Sequence, residues 1–237
     1  MRGEVEIGMK KIAIIPAYNE EKSIVQVVRD IQENAPGFDY VVINDCSTDH
    51  TRQVCIENGL NFVDLPVNLG IGGGVQTGYR YALERGYDIA VQFDGDGQHD
   101  AAYLNEMARV LTEKQCDMVI GSRFIKKEGF QSSYMRQIGI RYFRWLIKLL
   151  TGQMITDATS GMRMIGKDLM EIFAADYPRD YPEPESTAAM LLKKKKIVEY
   201  PVKMRARTEG VSSISPLKSV YYMIKVSMAI ILVWTRR

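Results

Sequence analysis

The sequence has few cysteines and little net charge, and both features exclude classes of protein. Its 237 residues include Cys46, Cys55 and Cys116, without a Cys-x-x-Cys pair. An odd number without that spacing argues against a disulfide framework and a thiolate zinc site, and it favours a reducing compartment. The 31 basic and 29 acidic residues leave a formal net charge of only +2, so we expect no nucleic-acid partner.

Long uncharged apolar runs are also missing. The first residues, MRGEVEIGMKK, contain no apolar run of the signal-peptide type, so we expect that the protein is not exported. In residues 219–234 (SVYYMIKVSMAIILVW) the uncharged run after Lys225 is too short to cross about 30 Å of hydrocarbon as a helix. We interpret residues 216–237 as an interfacial or partly inserted helix at an anionic cytoplasmic leaflet. A helix that seals an oligomer interface is the alternative.

A second stretch also has the pattern of a membrane-surface helix. Residues 134–150 (YMRQIGIRYFRWLIKLL) mix four basic residues with aromatic and aliphatic ones. Such a basic, aromatic-rich amphipathic helix suits the plane of a membrane surface, although a core helix with snorkelling cations gives the same pattern.

The first half of the chain alternates short apolar runs with longer amphipathic stretches, and the 46% of hydrophobic residues suffices for a core. The predicted strands are residues 11–16, 40–44, 61–65, 88–93 and 117–120, and the predicted helices are residues 20–33, 48–58, 75–85 and 101–113. This order predicts an α/β fold with a doubly wound, mostly parallel sheet that binds ligands beyond the carboxyl ends of its strands. We expect a catalytic domain in residues 1–215, with an acceptor-side subregion after Ser122, and an apolar membrane-associated helix in 216–237.

Polar segments follow the first four predicted strands. They are PAYNE (16–20), NDCSTD (44–49), NLGIGGG (68–74) and DGDGQH (94–99). Any one of them alone reads as a solvated turn, because Asp, Asn, Gly and Ser favour turns. All four at the ligand edge of one sheet indicate a binding site.

The DGDGQH segment predicts a metal site. Asp94 and Asp96, one residue apart on a glycine-bearing turn, can converge on one hard cation, and Gln98 can add an amide oxygen. Mg²⁺ or Mn²⁺ takes such oxygen ligands and completes its shell with phosphate oxygens. A calcium-binding EF-hand loop opens in the same way, but it needs a preceding helix and an acidic residue at its twelfth position, which here is Asn105.

The glycine-rich segment is neither a dinucleotide fingerprint nor a phosphate loop. Val75 occupies the third glycine position of the fingerprint, and the Gly-Lys-Ser/Thr of a phosphate loop is missing. The segment is either a flexible helix entry or a close backbone approach to a nucleotide, which only glycine permits.

In order and spacing, PAYNE, NDCSTD, NLGIGGGVQTG and DGDGQH resemble the family 2 glycosyltransferases of the GT-A fold. The resemblance implies that the first three segments hold the nucleotide and that Asp-x-Asp holds Mg²⁺ or Mn²⁺ on the diphosphate. It assigns Asp94, Asp96 and Gln98 to the metal, with Asp96 catalytic. It assigns to the nucleotide Pro16, Ala17, Tyr18, Glu20, Asp45, Asn68, Gly70, Gly74, Asp94 and Gly95. Asn44 and Cys46 depart from the family, which usually has Asp and Gly there.

The second half resembles the polyprenyl-phosphate branch of that family, which includes dolichyl-phosphate mannose synthases and bacterial undecaprenyl-phosphate sugar transferases. The segments that carry the resemblance are GSRF (121–124), Arg136, DATSGMR (157–163) and RTEGVSS (207–213). Arginine makes bidentate phosphate contacts, although each arginine here is equally consistent with surface ion pairing. The residues implied at the acceptor phosphate are Arg123, Arg136, Ser160, Arg207 and Ser213.

These resemblances predict an inverting transfer from a nucleotide-diphosphate sugar, a UDP-sugar rather than GDP-mannose, to polyprenyl phosphate, with undecaprenyl favoured, at the cytoplasmic face of the membrane. Because the acceptor is already an anion, a strong general base is less necessary than for a hydroxyl. Asp157 is the second predicted catalytic residue, and Glu183 or Glu185 could instead position the acceptor. His99 either orients the phosphates or is structural.

Other functions remain open from the sequence. A transferase of the same fold could act on a glycan or protein acceptor in cell-surface polysaccharide synthesis. A non-catalytic, membrane-bound nucleotide-binding partner would share the loops. A sugar nucleotidyltransferase would need a Gly-rich, Arg- and Lys-bearing loop after the first strand, which PAYNEE is not. We also consider a small membrane-protein partner and a homo-oligomer.

Overall fold

In the computed structural model, seven strands form one sheet within the residues that the structure describes, which are 8–126, 134–180, 182–205 and 216–235, without the side chains of 134–136 and 216–220. The strands are β1 (Lys11–Ala17), β2 (Phe38–Asn44), β3 (Phe62–Asp64), β4 (Ile89–Gln92), β5 (Met118–Ser122), β6 (Arg163–Gly166) and β7 (Ile197–Pro201). The helices are α1 (Ile24–Asn34), α2 (Thr51–Glu57), α3 (Gly70–Glu84), α4 (Leu104–Glu113), α5 (Tyr134–Thr151), α6 (Lys167–Ala175), α7 (Pro182–Leu192) and α8 (Pro216–Thr235), and a 3₁₀ turn (Ala101–Tyr103) precedes α4.

The strand order is β3-β2-β1-β4-β6-β5-β7. Strand β6 is antiparallel to both β4 and β5, and the other pairings are parallel. The predicted mostly parallel α/β sheet is therefore confirmed, with one reversed strand. Because β6 runs backwards, its first residue, Arg163, pairs with Gln92 at the carboxyl end of β4. The loop before β6 thus lies at the ligand edge.

Helices cover both faces of the sheet. Along β1, Ile12 and Ile14 pack in one core cluster with α3 and α5 to α8, whereas Ala13 and Ile15 pack in the other with α1, α2 and α4. Successive side chains of a strand point to opposite faces, so a strand buried on both sides needs a continuous apolar run. This arrangement explains why KIAIIP contains so little polar sequence.

Helix α3 begins earlier than the sequence predicts. The expected start was residue 75, whereas the helix starts at Gly70, so the glycine-rich segment forms its first turns rather than a loop before it. A Cβ atom on Gly72 would overlap the carbonyl oxygen of Pro178, and the Gly72 N–H donates to the Arg179 carbonyl at 3.1 Å. Close packing of residues 178–179 therefore offsets the poor helix propensity of glycine.

The two predicted amphipathic stretches both form helices, α5 and α8, that pack together. The hydroxyls of Tyr142 and Ser227 lie 2.9 Å apart, and Val226 and Ile230 of α8 are buried in the core. In the described part of the chain, each helix is either too short or too polar to cross a bilayer. Membrane association and the predicted division at residue 215 stay predictions.

Candidate functional site

The loops after β1, β2 and β3 bond to one another around Asp45. The Asp45 N–H donates to the Ala17 carbonyl at 2.9 Å, and the Asn68 side chain donates to the Asp45 carbonyl at 3.0 Å. The Leu69 N–H donates to Asp45 Oδ1 at 2.7 Å, and the Gly70 N–H donates to Asn68 Oδ1. Burial raises the pKa of the Asp45 carboxyl, and the backbone bonds partly oppose that rise. The predicted nucleotide residues of three segments therefore form one wall.

A second set of contacts joins the PAYNE and NDCSTD segments. Asn19 Oδ1 accepts from the Thr48 N–H at 2.8 Å, and the Glu20 N–H donates to Thr51 Oγ1 at 2.8 Å. Tyr18 is about half exposed between them, at 48%. An exposed aromatic ring beside a polar wall can pack on a flat ligand group such as a base.

The two departures from the family pattern are accommodated locally. Asn44 donates to Asp64 Oδ1 at 2.6 Å and accepts from the Ser47 hydroxyl at 2.6 Å, so its amide ties β2 to β3 and to the following turn. Cys46 has a φ of 55°, the left-handed region that favours glycine. A side chain there costs roughly 1–2 kcal/mol, which explains why the family usually has glycine at this position.

Residues 94–98, here called the Asp94 turn, follow β4 directly after Phe93. Gly97 has a φ of 76°, and Asp96 Oδ1 accepts from the Gln98 N–H at 3.0 Å, which closes the turn tightly. Asp94, Asp96 and Gln98 are all partly exposed on it. The predicted metal residues are thus presented together.

The Asp94 turn packs against the end of β1 and the residues that follow it. A Cβ atom on Gly95 would lie 3.0 Å from the Pro16 carbonyl oxygen, and the Ser23 hydroxyl lies 2.8 Å from both the Gly95 carbonyl and Glu20 Oε2. A Cβ atom on Gly74 would make an ordinary contact with Pro16 at 3.8 Å. The predicted nucleotide and metal segments therefore pack against each other.

The donor set of the Asp94 turn fits a hard divalent cation that also binds phosphate. Among the described residues, there is no group of three or more His, Cys, Asp and Glu side chains that could hold a metal alone. Two carboxylates and the amide oxygen of Gln98 leave coordination positions for diphosphate oxygens, as Mg²⁺ and Mn²⁺ require.

Two buried side chains orient the Asp94 carboxylate. His99, only 2% exposed, accepts the Asp94 N–H at Nδ1 (3.0 Å), so its own proton is on Nε2, 3.5 Å from Asp94 Oδ2. The His99 ring packs edge-on against Phe93. Gln92 Nε2 donates to Asp94 Oδ1 at 3.2 Å. These contacts give His99 a structural role, and the sequence interpretation missed Gln92.

The loop before β6 brings the second half of the chain to the Asp94 turn. A Cβ atom on Gly161 would lie 2.6 Å from Asp94 Oδ2 and 2.9 Å from Oδ1. The DATSGMR segment therefore packs directly on the Asp94 carboxylate.

Four residues before Gly161, Asp157 forms a buried ion pair with Arg123. Arg123 Nε donates to Asp157 Oδ2 at 2.7 Å and Nη2 donates to Oδ1 at 2.6 Å, while Nη2 also reaches Thr159. Burial lowers the pKa of the Arg123 guanidinium, but Asp157 and the charges of Asp94 and Glu183 outweigh it and raise that pKa. Asp157 is fully buried, so its carboxylate faces Arg123 rather than solvent.

Arg163 holds the same loop from inside the protein. It is fully buried, and it donates to the carbonyls of Ser160 (2.8 Å) and Ala158 (2.7 Å) and to the Ser186 hydroxyl (2.9 Å). The Ser160 hydroxyl donates to the Gly121 carbonyl at 2.6 Å, so it too holds the loop rather than facing solvent. Its predicted contact with the acceptor phosphate stays a prediction. The positioning role of Arg163 was missed, although Arg163 ends the DATSGMR segment.

Of the two acidic residues in YPEPES, Glu183 joins the site. Burial raises its pKa, the charge of Asp94 raises it further, and Arg163 and a hydrogen bond from Gln92 lower it. Burial also raises the pKa of Glu185, whose charged neighbours are instead Asp176, Asp180 and Lys225. Glu183 is thus the acid of this pair whose pKa responds to the charge of Asp94.

The sequence matches the model of Glycosyl transferase family 2 over residues 12–173, well over half of the chain. This chain belongs to glycosyl transferase family 2. Two relatives of this glycosyltransferase have lipid-phosphate acceptors in their names. The chain is 30% identical over 211 residues to the UDP-N-acetylglucosamine–dolichyl-phosphate N-acetylglucosaminyltransferase of Methanococcus voltae, covering 80% of this chain and 83% of that protein. It is 28% identical over 220 residues to the undecaprenyl-phosphate mannosyltransferase of Micrococcus luteus, covering 87% and 88%.

A solved structure similar to this glycosyltransferase is glucosyl-3-phosphoglycerate synthase of Mycobacterium tuberculosis, in complex with Mn²⁺, UDP-glucose and phosphoglyceric acid. The TM-score is 0.73 at 18% identity, covering 96% of this chain and 80% of that one. This similarity shows that the fold is GT-A-like.

Three residues predicted at the acceptor phosphate are not placed by their side chains. Arg136 lies in α5, but its side chain is outside the described residues, as are Arg207 and Ser213 entirely. Of the three arginines predicted at the acceptor phosphate, Arg123 is therefore the one whose side-chain contacts the structure describes.

Proposed function

We propose that this family 2 glycosyltransferase transfers one sugar from a UDP-sugar to polyprenyl phosphate, with undecaprenyl favoured, and inverts the anomeric carbon. The proposal rests on the loop before β6, in which Gly161 leaves no room for a side chain beside the Asp94 carboxylate and Asp157 pairs with Arg123. A donor-diphosphate segment and an arginine suited to a phosphate acceptor therefore lie in one site. The acceptors named for the two relatives support the lipid phosphate.

The donor side rests on the Asp94 turn and the wall around Asp45. We assign Asp94, Asp96 and Gln98 to Mg²⁺ or Mn²⁺, which when bound would offset the charge of the departing nucleoside diphosphate. His99 and Gln92 hold the Asp94 carboxylate in its orientation. The Mn²⁺ and UDP-glucose in the solved structure of similar fold support this assignment.

The acceptor side rests on Arg123. Its contacts with Asp157 and Thr159 use Nε and Nη2, and a guanidinium carries further donors on Nη1. We assign to it the acceptor phosphate, whose anionic oxygen attacks the anomeric carbon opposite to the departing diphosphate. Because that oxygen needs no deprotonation, Asp157 acts through Arg123 as a positioning residue rather than as a base.

The exposed apolar side chains of α5 and α8 support a place at the membrane surface. Trp145 and Leu149 on α5 are 59% and 62% exposed, and Tyr221, Ile224 and Met228 on α8 are exposed to a similar degree. Large exposed apolar patches mark interaction surfaces, and a peripheral enzyme with a lipid substrate needs one. We place this surface on the cytoplasmic face, where UDP-sugars and anionic lipids meet.

A donor screen tests the proposal. UDP-N-acetylglucosamine, UDP-glucose and GDP-mannose are each incubated with Mn²⁺ or Mg²⁺ and undecaprenyl phosphate, and the lipid product is read by mass spectrometry. We expect a glycosylated lipid phosphate from a UDP-sugar and none from undecaprenol, which lacks the phosphate. Undecaprenyl phosphate left unmodified by all three donors with either metal would contradict the assigned acceptor.

A further inference from the structure

The Asp94 turn is fixed at its two ends by residues outside the set assigned to ligands. At its start, the Ser23 hydroxyl lies 2.8 Å from the Gly95 carbonyl. At its end, the Arg205 N–H donates to the Gln98 carbonyl at 2.9 Å. The Gln98 N–H in turn donates to Asp96 Oδ1. Both backbone groups of Gln98 are thus held, its N–H by the Asp96 carboxylate and its carbonyl by the Arg205 N–H.

The Arg205 side chain fixes the residues that follow the turn. Its Nη1 donates to Asp30 Oδ2 at 3.0 Å and its Nη2 to Asp30 Oδ1 at 3.3 Å, a two-pronged pair. Nη2 also lies 3.0 Å from Asp100 Oδ1. Asp30 Oδ2 accepts from the Ala101 N–H at 3.1 Å as well. One arginine therefore joins α1 to the residues directly after Gln98.

The burial of Asp30 makes this link more than a surface ion pair. Asp30 is only 5% exposed on the inner face of α1, whereas the Arg205 side chain is about half exposed. A buried carboxylate needs its cation, because an unpaired buried charge is costly. The guanidinium is consequently held in a fixed place, and the backbone N–H of the same residue is held with it.

From these contacts we propose that Arg205 is a positioning residue for the metal site, which fixes Gln98 beside Asp96. The proposal rests on the proposed function, in which Gln98 completes the metal ligands. Loss of the guanidinium would leave the Arg205 main chain free to move away from Gln98, and the amide ligand would move with it. Outer contacts of this kind typically change metal affinity by about 10–100-fold.

Binding of Mn²⁺ in the presence of UDP, followed by the electron paramagnetic resonance of free Mn²⁺, tests the proposal without turnover. We expect Arg205→Met to raise the Kd for Mn²⁺ by on the order of tenfold. Arg205→Lys keeps the positive charge without the planar guanidinium, so we expect it to bind Mn²⁺ with an affinity between those of Arg205→Met and the wild-type protein. Arg109→Met is the matched control, because Arg109 also pairs with two carboxylates, Glu106 and Glu113, but within its own helix α4.

A double variant separates positioning from stability. Arg205→Met alone leaves Asp30 buried without its cation, whereas Asp30→Asn with Arg205→Met removes that charge and should recover thermal stability. We expect the double variant still to bind Mn²⁺ weakly. The role of Arg205 would be overturned if the double variant recovered wild-type Mn²⁺ affinity together with stability, or if the Kd were unchanged in Arg205→Met. Either result would leave the assigned metal site in place. A wild-type protein that binds UDP but no Mn²⁺ would overturn the assigned metal site itself, and the role of Arg205 with it.

Discussion

At the scale of the residue, the site depends on how the Asp94 carboxylate is held. His99 and Gln92 orient its two oxygens, and Gly161 leaves the space that it occupies. A misplacement of about 1 Å in a catalytic site can reduce the rate about a hundredfold. The absence of a side chain at Gly161 is therefore as important as the presence of the carboxylate.

Gly161→Ala tests this contact. The new methyl group would lie 2.6 Å from Asp94 Oδ2, the movable end of a side chain, so we expect the fold to survive and the carboxylate to shift. Activity should fall by on the order of 100-fold, with a higher requirement for Mn²⁺, while the melting temperature changes little. Gly166→Ala is the control, since a Cβ there meets nothing within 4 Å. Equal activity of the two variants would contradict the contact.

The sequence predicts part of this site because the chemistry of each segment is local. Asp94, Asp96 and Gln98 lie within one turn, and their place after a strand could be read from the apolar run before them. Gln92 and Arg163 could not be found in this way. They meet only because β6 pairs antiparallel with β4, and no local pattern reports that pairing.

At the scale of the element, the reversed strand β6 decides how the two halves of the site meet. A parallel strand would bring its end to the ligand edge, whereas β6 brings its start, together with the loop of Asp157 and Gly161. The buried pair of Asp157 with Arg123 then ties this loop to the end of β5. Up to β5 the elements were mostly predictable from apolar periodicity, whereas β6, α6, α7 and β7 were not predicted. The early start of α3 was not, because it depends on packing against residues 178–179.

Asp157→Asn tests the positioning role. The substitution keeps the shape of the side chain but leaves Arg123 buried without its partner, which we expect to lower the free energy of unfolding by about 3 kcal/mol. Turnover should fall while UDP binding is kept, because the Asp45 wall is untouched. Urea denaturation and UDP titration measure the two effects. Glu113→Gln, in an exposed pair on α4, is the control and should change neither. Near-normal turnover of Asp157→Asn with intact donor binding would contradict the role.

At the scale of the whole molecule, the site and the exposed apolar surface belong to one packed unit. Helix α8 packs on α5 and α7, and α7 carries Glu183, whose pKa the charge of Asp94 raises. The helices were predictable from their composition, but their packing against each other was not, since it depends on contacts such as that of Tyr142 with Ser227.

Vesicle binding tests the surface. We expect wild-type protein to sediment with anionic phospholipid vesicles, and Trp145→Glu and Met228→Glu each to weaken that binding several-fold, because a carboxylate enters the hydrocarbon boundary poorly. Ile56→Glu is the matched control, an exposed apolar residue on α2. A wild-type protein that does not bind vesicles, or equal binding of all three variants, would contradict a membrane role for α5 and α8.

We propose that Asp94 and Asp96 hold a divalent cation on the diphosphate of a sugar donor whose sugar passes to a lipid phosphate. Asp96→Asn tests this assignment, because the amide oxygen can still accept from the Gln98 N–H while the negative charge and one acceptor oxygen are lost. The measurement is transfer of labelled sugar from the preferred UDP-sugar to undecaprenyl phosphate, after chelation and after return of Mn²⁺, with Glu106→Gln as the control.

We predict that Mn²⁺ restores labelled lipid in the wild-type protein and in Glu106→Gln. In Asp96→Asn the rate should stay lower by a factor of about 100 or more, as loss of several kcal/mol of charge stabilisation requires, with an unchanged melting temperature. Undiminished, metal-dependent transfer by Asp96→Asn would contradict a metal role for Asp96.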